Sequence, residues 1–381
     1  MSATEPPPRG AGESGDGAER EYVYVVGGRN RGRTVAVVER YSVSEGHWER
    51  CTSMRTSRGS HGVALIGGQV CAVAGGGINS NLSSCEIYDD QRNVWCELAE
   101  LNTPRHALAC ASGDGALYAV GGWVNGNFCS GETERYDAAQ KRWVTCSAMQ
   151  VPRRLHGTAV LDGKLYAFGG IDDSSTTPLR SAECYDPEKE QWSLISPLPR
   201  VGDSKAGGCV SCCAVGAAVY VFVWGQRLLR YSPASDSYKK VSTLPLKEWY
   251  GFAVTTLGED IYVVGGSSQG AWTGAMFVFH TTSGDWEELP KMKIVRRRCG
   301  AAACAHPPTT CPLSVPLSKT AAEPLKEEQP PKVVEESVCQ GDSKATAEDG
   351  VGGDEEQLCC VEAMFGPLSL WLRSIREKGR G

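Results

Sequence analysis

Short apolar runs that end at paired glycines recur along the chain. The first reads EYVYVVGGRNRGR, from Glu21 to Arg33, and each run is followed by a polar segment. Runs of about five Val- and Tyr-rich residues closed by glycine are typical of β-strands that end in a turn. From the second glycine of one pair to the next, the steps are 48, 46, 48 and 96 residues, for pairs at Gly27-Gly28, Gly75-Gly76, Gly121-Gly122, Gly169-Gly170 and Gly265-Gly266. The pattern predicts six copies of a β-repeat, one of which has lost its glycine pair.

A second spacing gives the same number of copies. An aromatic residue is followed seven positions later by another in six places: Tyr41/Trp48, Tyr88/Trp95, Tyr136/Trp143, Tyr185/Trp192, Tyr231/Tyr238 and Phe279/Trp286. Polar turns such as DDQRNV separate the two aromatics, and apolar segments such as HGVALI follow them. The pattern within each copy therefore predicts four short strands. The aromatic side chains are large enough to fill the space between neighbouring sheets.

A third element is a Met or Leu four residues before an Arg, as in Met54/Arg58, Leu101/Arg105, Met149/Arg153 and Met292/Arg296. With the paired glycines and the aromatic spacing, it resembles the kelch repeat of the kelch-like proteins, over about Glu21 to Ala305. The resemblance implies an all-β fold, a six-bladed β-propeller whose blades are four-stranded antiparallel sheets. We interpret the repeated glycine, aromatic and arginine residues as scaffold, with the arginines binding exposed carbonyls at the blade corners.

The two ends of the repeat region predict how the ring closes. The first copy begins at its second strand, VYVV, and the last copy runs on to a strand of innermost type, Gly300 to Ala305. These two strands are expected to share a blade, which removes two exposed sheet edges. The predicted propeller is thus residues 21–305.

The flanking segments differ in composition from the repeats. Residues 1–20 are rich in Gly, Pro and Glu, and residues 306–358 form an acidic, Pro-rich linker, so both are expected to be disordered. Within residues 359–381, four apolar residues share one helical face, which predicts a short amphipathic helix, with an unstructured tail as the alternative. They are Leu368, Trp371, Leu372 and Ile375.

Composition and charge argue against several classes of protein. The net charge of −6 disfavours a nucleic-acid binder that relies on neutralising phosphates. The sequence contains no run of about 18 apolar residues, so it predicts no membrane span. The first twenty residues lack the apolar core of a secretory signal. The 17 cysteines are odd in number and scattered through strand segments. They favour reduced thiols and a cytoplasmic location.

Residues that could carry catalysis do not form a recognised arrangement. His61 and His156 recur at one repeat position, Cys209 and Cys212 form a lone CxxC, and Asp172-Asp173 are adjacent on a loop. Zinc needs about four ligands, and the sequence contains no GxSxG, HExxH or phosphate-binding loop. We therefore expect no catalytic residues, no cofactor and no metal. A metal-dependent propeller enzyme is the alternative from another class.

The segments after the glycine pairs differ from copy to copy, and loops that vary on a uniform scaffold are candidates for recognition. Arg29, Asn30 and Arg31 occur in the first copy alone. The GGRN string also resembles the first-blade loop of a kelch-like sensor of oxidative stress, whose post-glycine arginine binds an acidic peptide. A second arginine of that family, six residues after the repeat Met or Leu, is matched by Arg298 and replaced elsewhere by Ser60, Ala107 and Leu155.

The loops are expected to meet at one mouth of the central channel. The candidate partner-binding residues are Arg29, Asn30, Arg31, Asn79, Asn81, Trp123, Asn125, Asn127, Tyr250, Trp272 and Arg298. Arginine can bind a carboxylate with two hydrogen bonds, so an acidic peptide segment of a protein is the expected ligand. An ordinary solvated basic loop is the alternative for residues 29–33.

The expected function is non-enzymatic protein binding, as substrate recognition for a ubiquitin ligase or as a scaffold. An actin-associated kelch protein is the alternative partner class. The resemblance to ubiquitin-ligase adaptors implies BTB and BACK domains before the propeller, where this sequence has twenty residues. A bare propeller and an isoform of a longer adaptor are both compatible with the sequence.

Overall fold

In this computed structural model, the described residues are 21–125, 128–173, 178–200, 208–223 and 227–304. They are almost entirely β-structure, with one 3-10 turn at Pro233–Ser235. The segments predicted to be disordered or helical, 1–20, 306–358 and 359–381, lie outside this range. Six four-stranded antiparallel sheets account for most of the described chain.

The first three sheets begin the series. Sheet 1 has the order β31-β1-β4-β5 and contains β1 (Tyr22–Val26), β4 (Val38–Ser42), β5 (His47–Cys51) and β31 (Gly300–Cys304). Sheet 2 contains β6 (Gly62–Ile66), β7 (Gln69–Gly76), β8 (Asn81–Asp89) and β9 (Val94–Leu98). Sheet 3 contains β11 (Ala109–Gly113), β12 (Ala116–Val120), β15 (Thr133–Asp137) and β16 (Arg142–Cys146).

The other three sheets repeat this order. Sheet 4 contains β17 (Gly157–Leu161), β18 (Lys164–Phe168), β19 (Ala182–Asp186) and β20 (Gln191–Ile195). Sheet 5 contains β21 (Ser211–Val215), β22 (Ala218–Val223), β23 (Arg227–Ser232) and β24 (Ser237–Thr243). Sheet 6 contains β25 (Ala253–Leu257), β26 (Asp260–Val264), β29 (Met276–His280) and β30 (Trp286–Leu289).

Seven two-residue strands complete the inventory, and they lie in the connections that follow the second strand or precede the first. They are β2 (Arg29–Asn30), β3 (Arg33–Thr34), β10 (Arg105–His106), β13 (Trp123–Val124), β14 (Phe128–Cys129), β27 (Ser267–Ser268) and β28 (Ala271–Trp272).

The first strand of each sheet contacts the first strand of the next. These contacts run from β31 to β6, β11, β17, β21 and β25, and return from β25 to β31. Within sheet 1, β31 pairs with β1 from Tyr22↔Cys304 to Val26↔Gly300. The pairing that the sequence predicts for the last strand is therefore present, and the six sheets follow one another in the order of propeller blades.

The repeated aromatics pack against each other across the two outer strands of each sheet. Tyr136 and Trp143 of sheet 3 also share a core cluster with Ile87 of sheet 2, so they fill the space between sheets as predicted. Tyr88 lies opposite Trp95 with ring centroids 5.2 Å apart, and Tyr136 lies opposite Trp143 at 5.5 Å. The indoles also donate hydrogen bonds to the preceding sheet, with Trp95 Nε1 binding the Thr52 carbonyl at 3.0 Å. Each tryptophan thus joins two blades through apolar burial and a directional bond.

The repeat arginines are fully buried and bind more than carbonyls. Arg153 Nη1 donates to the carbonyls of Gly169 and Ser181 at 2.9 Å, and its Nη2 lies 2.6 Å from Glu183 Oε1. Equivalent ion pairs are Arg58–Glu86, Arg105–Glu134 and Arg296–Glu39. The carboxylate partner was not predicted, although a Glu two residues before the repeat Tyr marks it in the sequence. A buried charge needs such a partner to offset its desolvation.

Sheet 6 replaces this ion pair with aromatic packing. Phe277 occupies the position of the carboxylate, and Trp249 packs on it edge to face at 5.5 Å. Trp249 Nε1 donates to the Gly265 carbonyl at 2.7 Å, as Arg153 does to Gly169. The two charges are therefore absent together, which avoids a buried charge without a counter-ion.

The paired glycines mark a close approach, with a shift of register in sheet 2. Ala74 and Gly75, with φ of 53° and 104°, have the backbone conformation of Gly27 and Gly28 at 55° and 107°. The structural pair is thus Ala74-Gly75, one residue before the glycine pair chosen from sequence. A Cβ on Gly75 would lie 2.5 Å from the Cβ of His61, which only glycine avoids.

Two buried histidines predict an acid-sensitive fold. Burial, and then the Arg58 charge, lower the pKa of His61 from 6.5 to about 3, and burial lowers the pKa of His156 as well. The unfolded chain binds these protons first, so stability is fully present above pH 6.5 and falls as the pH drops toward 3. Each histidine contributes a slope of up to about 1.4 kcal/mol per pH unit.

Replacing both histidines with leucine is expected to reduce the loss of unfolding free energy as the pH falls below 6.5. Leucine is the residue at this position in sheet 3, as Leu108. Urea unfolding between pH 7 and pH 4 measures the effect. The exposed His47→Leu variant should keep the wild-type slope. An unchanged slope in the double variant would assign the acid sensitivity to other groups.

Candidate functional site

The segment after the glycines pairs with the segment that leads into the first strand in five sheets. In sheet 1, Arg29 and Arg297 exchange backbone hydrogen bonds of 2.8 and 3.1 Å. The corresponding pairs in sheets 2, 3, 4 and 6 are Gly59↔Gly76, His106↔Trp123, Arg154↔Ile171 and Tyr250↔Ser267. The loops that vary in sequence are therefore attached to the residues that enter the innermost strands, at the same end of each sheet.

A series of backbone hydrogen bonds links these segments from one sheet to the next. The bonds are Arg298 N to Gly251 O, Ser60 N to Arg298 O, Ala107 N to Ser60 O, Leu155 N to Ala107 O and Val210 N to Leu155 O, at 2.7 to 3.0 Å. Ser60, Ala107, Leu155 and Arg298 all have φ between 51° and 57°. We call the region bounded by this series and the paired loops the mouth.

The mouth opens on a pocket of about 140 Å³. Its lining combines one cation and two thiols with hydroxyl, imidazole and apolar groups, and includes Ser60, His156, Cys209, Phe222, Tyr250 and Arg298. Sheet 5 contributes the shortest connection at this end, because β22 ends at Val223 and β23 begins at Arg227.

Four arginines converge here, and we call Arg29, Arg154, Arg297 and Arg298 the mouth arginines. None of them is among the arginines that form ion pairs with carboxylates in the described chain, which are Arg40, Arg55, Arg58, Arg92, Arg105, Arg153 and Arg296. Two stack on tryptophans, with the Arg154 guanidinium carbon 3.8 Å from the Trp123 ring centre and that of Arg297 4.9 Å from the Trp272 ring centre. Such stacking holds a guanidinium in place without consuming its hydrogen-bond donors.

The charges of these arginines act on one another. Burial, followed by the charges of Arg298 and Arg297, lowers the pKa of Arg29. Burial is also the largest cause that lowers the pKa of Arg298. Burial and three arginine charges lower the pKa of His106 to about 4, so this histidine is neutral at pH 7. The mouth is thus a concentrated positive region, in a chain whose net charge is −6.

The candidates from sequence fall into three groups. Arg29, Trp123, Tyr250, Trp272 and Arg298 lie in the paired segments of the mouth or stack on its arginines. The amides of Asn30 and Asn81 donate to the carbonyls of Val295 and Trp123, at 3.0 Å each. Arg31, Asn79 and Asn125 are exposed on their loops, and Asn127 lies outside the described residues.

Three residues of the mouth were missed in the sequence, namely His106, Arg154 and Arg297. His106 Nδ1 lies 2.6 Å from Asn81 Oδ1, which fixes the neutral imidazole against the second loop. All three directly follow a repeat arginine. That position could have identified them, because it is the one that pairs with the post-glycine loop.

Exposed apolar side chains lie on the same connections. Ile78, which is 83% exposed, follows the glycines of sheet 2, and Phe128, 53% exposed, lies on β14. Val295 is 40% exposed and accepts the Asn30 hydrogen bond. These three are among the four large apolar residues that are exposed in the described part of the chain. Exposed apolar groups beside charged ones are typical of a protein-binding surface.

The residues considered for catalysis lie in different surroundings, and His61 and His156 are buried in the core. Asp173 Oδ2 accepts a hydrogen bond of 2.6 Å from the Cys129 amide. Cys209 lines the pocket, and burial raises the pKa of its thiol. Within the described residues, the one trio of side chains close enough to share a metal ion is Glu45, His47 and Glu49, on the hairpin between β4 and β5.

Comparison with known proteins identifies the repeat. The family model of the Kelch motif matches residues 20–55, 57–102, 104–150, 152–199 and 248–293, more than half of the chain. The chain belongs to the kelch-repeat family. The interval between the fourth and fifth matches, residues 200–247, holds sheet 5, whose second strand is not followed by paired glycines.

The proteins similar to this chain are named as kelch-like or kelch-repeat proteins. Kelch-like protein 35 of Mus musculus is 25% identical over 279 residues, which cover 72% of this chain and 38% of that protein. Kelch repeat and BTB domain-containing protein 13 of Homo sapiens is 29% identical over 60% of this chain and 40% of its own length. Kelch-like ECH-associated protein 1B of Danio rerio is 30% identical over 27% of this chain and 18% of its own. The matches thus span less than half of each relative.

The described part of this kelch-repeat chain contains no helix long and apolar enough to cross a membrane.

Proposed function

We propose that this kelch-repeat protein is a non-enzymatic recognition module whose mouth binds an acidic segment of a partner protein. The observation that carries the proposal is the set of four mouth arginines that form no ion pair with a carboxylate of the described chain. A carboxylate ligand supplies the missing counter-charge, and an arginine can bind it with two parallel hydrogen bonds. The exposed Ile78 and Phe128 offer apolar contacts beside the charged centre.

The proposal includes a role in a complex. One of the similar proteins is named for a BTB domain as well as for its kelch repeats. We propose that this chain supplies the substrate-recognition part of a ubiquitin-ligase assembly in the cytoplasm, with an actin-associated scaffold as the alternative. Affinity purification of the full chain from cells, followed by mass spectrometry, separates these two roles by the class of protein recovered.

Two arginine substitutions test the mouth. Peptides selected from a random library by the full chain are expected to be enriched in Asp and Glu. Arg29→Ala and Arg298→Ala should each weaken the binding of the selected peptides by about 1–3 kcal/mol, because a hydrogen bond to a charged group is lost. Calorimetry at two salt concentrations measures this loss, and the wild-type affinity should fall as salt rises.

The controls come from the chain itself. Ala107 occupies in sheet 3 the position of Arg298, with φ of 54° against 53°, so Arg298→Ala imposes no new backbone conformation. Arg50→Ala removes the same charge from the exposed face of β5 and should bind as the wild type does. Peptides without acidic residues, or equal affinity in the Arg29→Ala/Arg298→Ala variant, would contradict the proposal.

A further inference from the structure

The positive charge of the mouth exceeds what one carboxylate neutralises. Arg29, Arg297 and Arg298 belong to sheet 1, and Arg154 belongs to sheet 4, yet the charge of Arg154 acts on Arg298. His106, which adds no charge at pH 7, faces the charges of Arg298, Arg29 and Arg154. A ligand between them therefore meets guanidinium groups from two sheets. A dianion matches this field better than a monoanion does.

The donors available in the mouth suit a ligand with several acceptor oxygens. Arg154 and Arg297 hold their guanidinium groups in place by stacking on Trp123 and Trp272. Arg154 is 8% exposed as a residue and is stacked on Trp123. A stacked guanidinium keeps its N–H groups in the plane parallel to the ring, free to meet a ligand edge-on. The mouth thus contains two guanidinium groups whose orientation is fixed by stacking.

We propose that the mouth recognises a phosphorylated serine or threonine within an acidic segment of the partner protein. This inference rests on the proposed function and names its ligand more closely. A phosphomonoester carries about −1.5 to −2 charges at pH 7 and three strong acceptor oxygens. Of the four mouth arginines, Arg298 lines the pocket of about 140 Å³, and arginine clusters are a recurring device for phosphopeptide recognition.

Small competitors test the anion preference without knowledge of the partner. A fluorescent acidic peptide, selected from the library by the full chain, serves as the reporter. Phenyl phosphate and benzoate share one ring and differ in the anion. Phenyl phosphate is expected to displace the reporter at a concentration at least about tenfold lower, because dianionic, charge-assisted hydrogen bonds are stronger. Equal displacement by the two would overturn the inference.

Matched peptides test the same preference in context. Each acidic position of the selected peptide is replaced in turn by serine, aspartate and phosphoserine. At one of these positions, the peptide with phosphoserine should bind at least about tenfold more tightly than the peptide with serine. It should bind about threefold more tightly than the peptide with aspartate. A peptide series in which aspartate equals or exceeds phosphoserine at every position contradicts the inference.

Lysine variants separate geometry from charge. Arg154→Lys and Arg297→Lys keep the positive charge but lose the planar fork and the stacking on Trp123 and Trp272. The phosphoserine preference should fall to the level of aspartate in these variants, while binding of the acidic peptide persists. Arg50→Lys on β5 is the control and should keep the preference. If both test variants kept the full preference for phosphoserine, the mouth would not recognise phosphate through these arginines.

The outcomes distinguish the two proposals. Acidic peptides that bind without any advantage for phosphoserine or phenyl phosphate leave the proposed function standing and reject the phosphate site. Failure of both acidic and phosphorylated peptides to bind rejects both. A single-stranded RNA oligomer that displaces the reporter more strongly than the phosphopeptide would assign the site to a phosphodiester chain and also reject this inference.

Discussion

Ending the chain after Arg298 is expected to abolish cooperative unfolding, whereas ending it after His306 leaves the transition intact. The shorter chain lacks β31, whose residues Ala301 to Cys304 are 4–8% exposed. It leaves β1 without its partner in the pairing from Tyr22↔Cys304 to Val26↔Gly300. It also removes the contacts of β31 with β25 and β6, so sheets 6 and 2 lose their common neighbour.

The expected loss exceeds that of a point substitution, because backbone pairing and apolar burial disappear together on both sides of one blade. Urea unfolding followed by tryptophan fluorescence and by far-ultraviolet circular dichroism measures it. In the longer chain, the two probes should report one coincident transition. The same coincident transition and midpoint in the shorter chain would show that closure through β31 contributes little to stability.

Glu183→Ala is expected to destabilise the fold by about 3–5 kcal/mol, since it leaves Arg153 buried without its counter-charge. Both side chains are fully buried, and Glu183 also accepts hydrogen bonds from the backbone amides of Gln150 and Val151, at 2.7 and 3.1 Å. The substitution therefore removes the partner of one charged group and two amides. Urea unfolding at pH 7 gives the change in free energy.

Two variants define the cause of this effect. Glu183→Gln keeps an acceptor oxygen while it removes the charge, so its cost should be smaller than that of Glu183→Ala. Glu188→Ala alters an exposed residue of the following turn and should change stability by less than about 0.5 kcal/mol. If Glu183→Ala matched Glu188→Ala, the buried ion pair would have no role in holding the blade corner.

Much of this fold follows from spacing alone, because its residues repeat. The aromatic pairs, the glycines and the last strand were predictable, since each occupies one position per repeat. The exception in sheet 2 is informative, because three consecutive glycines, Gly75 to Gly77, hide the fact that Ala74 takes the first left-handed position. Only backbone angles distinguish these alternatives.

The mouth was less predictable, because it depends on contacts between copies. Arg29 was predicted because it occurs in one copy alone, and Arg298 because it matches a second arginine of the kelch-like family. The charge of Arg298 lowers the pKa of Arg29. Arg154 and Arg297 were overlooked, since each stands beside a repeat arginine and looks like a variation of it. Their meeting with Trp123 and Trp272 requires the pairing of two connections, which no single repeat shows.

The sheet that joins the two distant parts of the chain also carries three of the four mouth arginines. Arg29 precedes Arg297 and Arg298 by five repeats, and the backbone bonds between Arg29 and Arg297 form when both parts are present. A growing polypeptide on the ribosome therefore lacks the assembled mouth until its final repeat has emerged. Under the proposed function, a chain that lacks the last repeat therefore does not present this set of arginines to a partner.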